Sequence, residues 1–307
     1  RIDDPDQPFV LLEDNARRTY VAQSGLIGPD GIDRSGRATF ASEQTEYRLR
    51  KGSERLDVDL TWIGPNGVEV IKRFTFRPGD YLVDVSYIVR NESDAGWEGN
   101  LFAQIKRDST PAPSAESSGM GMKPYLGFAT TMPDDRFRKI DFEDIRDEPF
   151  RQQLQGAWIA MIQHYFLSAW IADPAMTHNY SPRVTESGLN IAGFTSPALT
   201  VPPGASGTVS TAFYAGPKDQ YRLREISPYL DLSVDYGWLW WIAQPLFWLL
   251  TQIQAVVVNW GAAIILLTVL IKAVFFKLSA TSYRSMANMR RVQPKLQDLR
   301  ERIGLVL

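Results

Sequence analysis

Between residues 56 and 62 apolar and polar side chains alternate one by one, with Leu56, Val58, Leu60 and Trp62 interleaved with Asp57, Asp59 and Thr61. A period of two sets one face of a strand on a core and the other in water, so the stretch predicts a half-buried β-strand. Gly64-Pro65-Asn66-Gly67 supplies turn residues that tolerate positive φ, and Val68-Glu69-Val70-Ile71-Lys72-Arg73-Phe74-Thr75-Phe76 returns. Together these predict a β-hairpin. Pro78-Gly79-Asp80 marks the next turn, before a strand over 81–89, turn residues Asn91-Glu92-Ser93-Asp94 and a strand at 101–105. Further strands are predicted at 125–131, 157–163, 168–171, 189–194 and 207–214, the last preceded by the Pro202-Pro203-Gly204 corner. Many short strands with such punctuation over 9–210 predict a mainly β domain, a sandwich or a barrel. The stretch 109–119 is poor in large apolar side chains and reads as a mobile loop within that domain. Over 220–232 the spacing of Tyr221, Leu223, Ile226 and Leu230 changes to that of one helical face, a closing helix whose length Pro228 limits.

A second pattern takes over at residue 236. From there to residue 271 the chain contains no Asp, Glu, Lys or Arg, and Lys272 ends the run. An uncharged run of roughly 36 residues, about 54 Å as helix, exceeds the ~30 Å hydrocarbon core of a bilayer and has to divide. Its first part holds Trp238, Trp240, Trp241 and Trp248, side chains that favour the headgroup boundary, with Gln244, Thr251, Gln252 and Gln254 among them. Residues 233–260 therefore predict an interfacial helix, Asn259-Trp260-Gly261 the bend, and 261–278 one transmembrane helix. Beyond it, Met286, Met289, Val292, Leu296, Leu299 and Ile303 recur in steps of three and four, while Arg284, Arg290, Arg291, Lys295, Arg300 and Arg302 largely take other positions. Residues 279–307 thus predict a basic amphipathic helix with a stripe that needs a partner.

Charge orients this arrangement. Before residue 236 there are 25 Lys and Arg against 33 Asp and Glu, whereas from residue 272 onward there are 8 against 2. Basic residues beside a span stay on the cytoplasmic side, which predicts residues 279–307 inside and 1–235 outside. Two spans in a hairpin would bring the basic tail beside the acidic domain, against that rule. The chain has no cysteine, so the domain at 1–232 relies on its core rather than on disulfides. Arg1 opens in polar sequence without the basic lead and apolar stretch of a signal peptide, so export is expected to depend on a segment outside this sequence.

The candidate chemistry is sparse. Lys272 lies about 16 Å along the predicted helix from Gly261, within the hydrocarbon. A charge at mid-bilayer costs about 2.5–3.5 kcal/mol on insertion scales, which favours a water-filled cavity over simple snorkelling, with Thr268 four residues earlier as a second polar group on the same face. Lys277, one turn further, is expected to snorkel. His164 and His178 have neither cysteine partners nor a metal-binding spacing, so packing or surface placement explains them. Asn91-Glu92-Ser93 satisfies a glycosylation sequon but is better read as a turn, and the acids of Asp141-Phe142-Glu143-Asp144 as a solvated face rather than an acid pair in a cleft. No phosphate loop, nucleophile elbow or dinucleotide fingerprint occurs; no enzyme, cofactor or metal is expected.

Several ordered motifs carry a family resemblance: Gln7-Pro8-Phe9, Ala22-Gln23-Ser24-Gly25-Leu26, Arg77-Pro78-Gly79-Asp80-Tyr81, Leu230-Asp231-Leu232-Ser233-Val234-Asp235-Tyr236-Gly237-Trp238-Leu239-Trp240, Gln244-Pro245-Leu246-Phe247, Asn259-Trp260-Gly261 and Tyr283-Arg284-Ser285-Met286-Ala287-Asn288-Met289. In this order they closely resemble the YidC/Oxa/Alb family of bacterial inner-membrane insertases, over essentially the whole chain. The resemblance implies a large periplasmic β-sandwich similar to sugar-mutarotase folds, with terminal helical structure packed on it. It implies that the family's cationic groove residue falls on Lys272, with Thr268 also facing the groove, and that 279–307 begins a cytoplasmic helical hairpin. It further implies insertion and chaperoning of nascent inner-membrane proteins without ATP or redox chemistry. The partners it implies are the Sec translocon (SecY, SecD, SecF), the lipid bilayer and the ribosome through the cytoplasmic region. The additional spans that complete the groove are expected outside this sequence. Two other functions fit a tethered β-sandwich: a membrane-anchored periplasmic carbohydrate-binding module, or a docking domain for Sec components.

Overall fold

The computed structural model describes residues 10–110, 125–147, 151–234, 236 and 239–304. Most of the predicted loop at 109–119, the motif Gln7-Pro8-Phe9, and Trp238 lie outside the described residues. The chain forms two compact units, Arg1–Val234 and Asp235–Leu307.

In chain order the first unit has β1 (Glu13–Asp14), β2 (Thr19–Ile27), β3 (Ala41–Ser42), β4 (Leu56–Ile63), β5 (Val68–Phe76), β6 (Leu82–Asn91), β7 (Trp97–Arg107), β8 (Gly127–Thr130) and β9 (Arg138–Ile140). After α1 (Phe142–Asp147) come β10 (Gln152–Gln155), β11 (Trp158–Ile162), β12 (Phe166–Ile171), β13 (Thr177–Tyr180), β14 (Arg183–Val184), β15 (Asn190–Val201) and β16 (Ala205–Pro217). Helix α2 (Gln220–Ile226) and a 3-10 turn at Leu230–Ser233 close the unit. Two antiparallel sheets result. One runs β1-β2-β7-β15-β13-β10, with β14 paired to β15, and the other runs β3-β4-β5-β6-β16-β12-β11-β8-β9.

The predicted hairpin forms β4 and β5, paired from Leu56↔Phe76 to Ile63↔Glu69. Gly67, at φ 80, takes the left-handed conformation that the turn requires. On β7 the alternation is clean, with Trp97, Leu101, Ala103 and Ile105 buried and Glu98, Phe102 and Gln104 facing out. The two sheets pack face to face through one core that includes Leu26, Leu101, Ile105 and Phe194 from the first and Val70, Tyr87, Ile159 and Trp170 from the second. Several polar contacts cross between the sheets. Tyr20 Oη meets Ser168 Oγ at 2.6 Å, Ser24 Oγ meets Tyr87 Oη at 3.0 Å, and Trp170 Nε1 donates to the Gln104 carbonyl at 3.0 Å.

β11 and β12 read as continuous apolar runs because both of their faces are covered. Trp158, Ala160, Ile162, Leu167 and Ala169 point away from the first core into a second one closed by Leu223 of α2 and Leu230 of the 3-10 turn. Trp158 Nε1 donates to the Pro228 carbonyl at 3.0 Å. The closing helix is shorter than 220–232: α2 stops at Ile226, Ser227 caps it, and Pro228 with Tyr229 at φ 64 leads into the 3-10 turn. Asp219 starts α2, its carboxylate accepting from the N–H groups of Tyr221 and Arg222.

The second unit consists of α3 (Trp240–Val257), α4 (Trp260–Val274) and α5 (Phe276–Gly304). Among the described residues no single helix is long and apolar enough to cross a membrane. Trp260–Val274 and Phe276–Pro294 meet that test only as a pair, bent by 60°. Here the structure differs from the continuous helix predicted over 261–278. Fifteen residues rise about 22 Å, short of a ~30 Å core. Phe275, at φ -87 and ψ 4, leaves helical geometry while its N–H is directed at the carbonyls of both Ala273 and Ile271. Lys277 accordingly belongs to α5, beyond the break.

Candidate functional site

Lys272 sits in the last turn of α4 and is exposed. The helix begins where the sequence placed a bend. Val258 takes a left-handed conformation and donates its N–H to the Gln254 carbonyl at 2.7 Å, ending α3. Asn259 then caps α4, its Oδ1 accepting from the Ala262 N–H at 3.1 Å. Helices α3 and α4 touch one another. Ala263 is fully buried, and Leu267 and Ile271 below it are half-buried, a spacing of four that marks the face of α4 turned to α3. Thr268 and Lys272 lie well round the helix from that face and share another, four residues apart. The two predicted groove residues are therefore brought together on a free face of α4.

Thr268 adds less than its position suggests. Its hydroxyl donates to the Ile264 carbonyl at 2.8 Å, the common i−4 bond of a helical threonine, so its donor is satisfied within the helix. What remains on that face is the Lys272 ammonium with three donors and the acceptor capacity of one hydroxyl. That pair can attract an anionic or strongly polar segment.

Trp240, Trp241, Trp248 and Trp260 are all exposed, and Trp241 and Trp248 fall on one face of α3 with Gln244 and Gln252. Arg284 and Arg290 are exposed along α5. Arg291, Lys295, Arg300 and Arg302 occupy α5 at positions whose side chains lie outside the described residues. Met286, Met289, Val292 and Leu299 are exposed on the same helix, so the described part of the predicted stripe is bare, and Tyr283 beside it is exposed too.

In the first unit, His178 is buried with Nδ1 3.2 Å from the Met176 carbonyl and its ring edge-on to Phe194. Burial pushes its pKa below the usual imidazole range. His164 stacks on Tyr165 at the surface, with ring centroids 4.0 Å apart. Among the described residues no group of three His, Cys, Asp or Glu is placed to hold a metal ion. Glu143 and Asp144 form the exposed first turn of α1, where acids complement the helix dipole, and Asp144 accepts from the Asp141 N–H at 3.2 Å. The sequon asparagine is buried and committed: Asn91 Nδ2 donates to the carbonyls of Ala95 and Val201, so it serves the turn.

Alternation gave no hint of two further features. Asp80, in the turn after β5, binds Arg222 of α2 at 2.5 Å and so ties the closing helix to the sheet. Burial pushes the Asp80 carboxyl up, but the bond from Arg222 and the N–H groups of Leu82 and Tyr81 outweigh it and hold the pKa low. The second is a cavity of about 190 Å³ lined by Trp62, Trp97 and Asp30.

Residues 1–249 match the family model described as YidC periplasmic domain, and residues 252–305 match the one described as 60Kd inner membrane protein. A protein from Cellvibrio japonicus named Membrane protein insertase YidC is 50% identical over 306 residues, covering 99% of this chain and 55% of the relative. Proteins of the same name from a Marinomonas species and from Stutzerimonas stutzeri are 49% and 50% identical, each covered over 54% of its length. The chain thus spans about half the length of the curated relatives it matches. Among solved structures, a galactose mutarotase related enzyme from Lactobacillus acidophilus aligns with a TM-score of 0.40 and 11% identity, over 60% of this chain and 73% of that one. An alpha-galactosidase from Geobacillus stearothermophilus aligns with a TM-score of 0.40 and 9% identity, over 66% of this chain and 32% of that one.

Proposed function

The chain belongs to the YidC family of inner-membrane proteins and carries its periplasmic domain, and on that premise we propose that the whole protein is a membrane insertase and chaperone. It assists insertion, folding and assembly of inner-membrane proteins, alone or with the Sec translocon, through a hydrophilic groove within the membrane. The observation that carries this reading is identity near 50% along essentially the whole chain to proteins named as insertases. The work done is physical rather than catalytic. Each unsatisfied backbone group in hydrocarbon costs several kcal/mol, so a wet groove with a fixed cation lowers the barrier for a polar client segment.

In this reading residues 1–235 are periplasmic, α3 lies along the outer surface with Trp240, Trp241, Trp248 and Trp260 as anchors, and α4 forms one wall of the groove. Residues 279–307 begin the cytoplasmic hairpin, whose basic side chains face the anionic inner leaflet or the ribosome. Lys272 supplies the cation, because it shares the face of α4 turned away from α3 with Thr268. A helix as short as α4 favours local thinning of the bilayer, which shortens the crossing. The nascent client and the SecY, SecD and SecF subunits are its partners.

The test is made in the full-length protein with a client whose translocated segment carries acidic residues. Lys272→Ala is expected to lower insertion severalfold and Lys272→Arg to retain it. Equal insertion by all three proteins removes Lys272 from the mechanism.

A further inference from the structure

Strand register sorts the turns of the second sheet into two ends. Phe76↔Val83, Leu82↔Tyr214 and Phe166↔Pro217 pair at one, whereas Val68 and Ala205 both pair with Asn91 at the other. The first end therefore carries the β5–β6 turn with Tyr81, the β11–β12 turn with Tyr165 and the start of α2 with Tyr221. The described residues of the first unit have four exposed tyrosines, these three and Tyr229, which follows α2. They are held in one frame. The N–H groups of Ala215 and Lys218 donate to the carbonyls of Tyr81 and Tyr165 at 3.2 and 3.0 Å, and Arg222 of α2 binds Asp80 beside Tyr81. The Arg136 guanidinium lies over the Tyr229 ring at 5.2 Å, and Leu232, also exposed, donates its N–H to the Tyr229 carbonyl at 3.2 Å.

Their hydroxyls indicate what they meet. The buried Tyr20, Tyr87, Tyr180 and Tyr214 each bond their hydroxyl within the domain, whereas the four exposed ones bond theirs to nothing among the described residues. An apolar ring with an unbonded polar tip suits the boundary between water and lipid headgroups. One exposed ring needs no explanation, but a cluster marks a surface that is covered in use. Charge admits a bilayer as the cover. Asp80 and Glu225 are bound to Arg222, Asp231 is bound to Arg224, and Asp219 caps α2, so few carboxylates at this end are left to repel anionic lipid. Chain length puts a bilayer within reach, because five residues, at most about 20 Å of chain, separate Val234 from α3 with its exposed tryptophans. We propose that this end of the β-domain docks on the outer surface of the bilayer, with Tyr81, Tyr165, Tyr221 and Tyr229 at headgroup level. The proposal rests on the reading of α3 as an interfacial helix and adds a lipid contact made by the β-domain itself.

The chain has no cysteine, so single-cysteine variants of the full chain each take one nitroxide label. In vesicles of phosphatidylcholine and phosphatidylglycerol, each label is scored by its collisions with oxygen, which concentrates in lipid, against those with a water-soluble nickel complex. Tyr165→Cys and Tyr221→Cys report the patch, Asn66→Cys the opposite end of the sheet, and Leu266→Cys the apolar helix α4. All four side chains are exposed, so the labels should not disturb the fold. The oxygen-to-nickel ratio at positions 165 and 221 is expected to be severalfold that at position 66. At a Leu232→Cys label, the ratio should fall severalfold when Tyr165→Ser and Tyr221→Ser are combined. Ratios at 165 and 221 equal to that at 66, beside a high ratio at 266, overturn the proposal and leave the insertase reading standing. A low ratio at 266 removes both. Loss of nickel collisions without a gain in oxygen collisions means that protein covers the patch, and an unchanged ratio at 232 means that the tyrosines do not anchor it; either result overturns the proposal.

Discussion

Trp158 and Trp248 are the same side chain in opposite surroundings. Trp158 on β11 is 0% exposed, held by the Pro228 carbonyl and packed against Phe137 and the second core. Trp248 on α3 keeps 56% of its surface bare. The contrast extends to the units that hold them. In the first, both sheets contribute to a shared core, and the outer face of β11 and β12 gains a further layer from α2. In the second, Ala263 is the only buried residue among those described. Apolar side chains that no layer of their own unit covers have to be covered by lipid or by other helices. Hydropathy alone does not separate the two cases: β11–β12 and α4 are both continuous apolar runs, and what differs is whether the chain supplies the second face.

The strongest way to break this comparison is to truncate both tryptophans. Trp158→Ala removes a fully buried indole, and large-to-small changes of this kind cost about 3–5 kcal/mol. The urea midpoint of the β-domain should fall accordingly. Trp248→Ala should leave that same transition within about 0.5 kcal/mol, as for surface changes away from a core. Similar losses from both would mean that the two units do not hold together independently.

Legibility followed the same divide. The hairpin of β4 and β5 could be read because its turn residues and alternation agree, and β7 alternates along its whole length. β2 escaped because its inward positions are Tyr20, Ala22, Ser24 and Leu26, too small and polar in the middle to register as a core face, while Ser24 is paired with Tyr87. β10 and β13 carry only Leu154, His178 and Tyr180 inward and escaped for the same reason. Lys272 was legible as the charge that ends an uncharged run. The break at Phe275 was not, since neither glycine nor proline marks it, and the cavity beside Asp30 was not, since its lining residues come from turns far apart in the chain. Thr268 was read as a groove group from its spacing to Lys272 and from the family resemblance; its bond to Ile264 needs the coordinates.

Acid should separate the units next, with a smaller effect. His178 has a folded pKa below its ordinary value of about 6.5, so the unfolded chain binds the extra proton first. That stability is complete above about pH 6.5 and is lost as pH falls from there toward the folded pKa. Asp80 adds a second loss at lower pH. Its folded pKa is also depressed, so its contribution holds above the ordinary carboxyl value of about 3.9 and disappears as pH falls through the folded one. Urea midpoints of the β-domain across pH 7 to 3 should therefore decline in two stages. His178→Gln should remove the first stage and Asp80→Asn should shrink the second, to which Asp59 and Asp108, also held low by their hydrogen bonds, contribute as well. A first stage that survives His178→Gln assigns it to another group.

The smallest expected effect lies in the helical unit, at the break between α3 and α4. Val258 is β-branched and sits at φ 56, where an L side chain meets its own backbone at a cost of about 1–2 kcal/mol. A glycine is the usual residue there, because it ends a helix without that penalty. Val258 is 80% exposed, so its side chain returns nothing by burial within the unit. Val258→Gly should therefore keep both caps, the Gln254 carbonyl bond and the Asn259 bond to Ala262, and raise the thermal stability of the helical signal in detergent by up to about 1 kcal/mol. The β-domain transition should not move. A loss of helical stability instead would mean that Val258 is held by apolar surroundings outside its own unit. The bend would then be imposed by what covers the helices rather than by their ends.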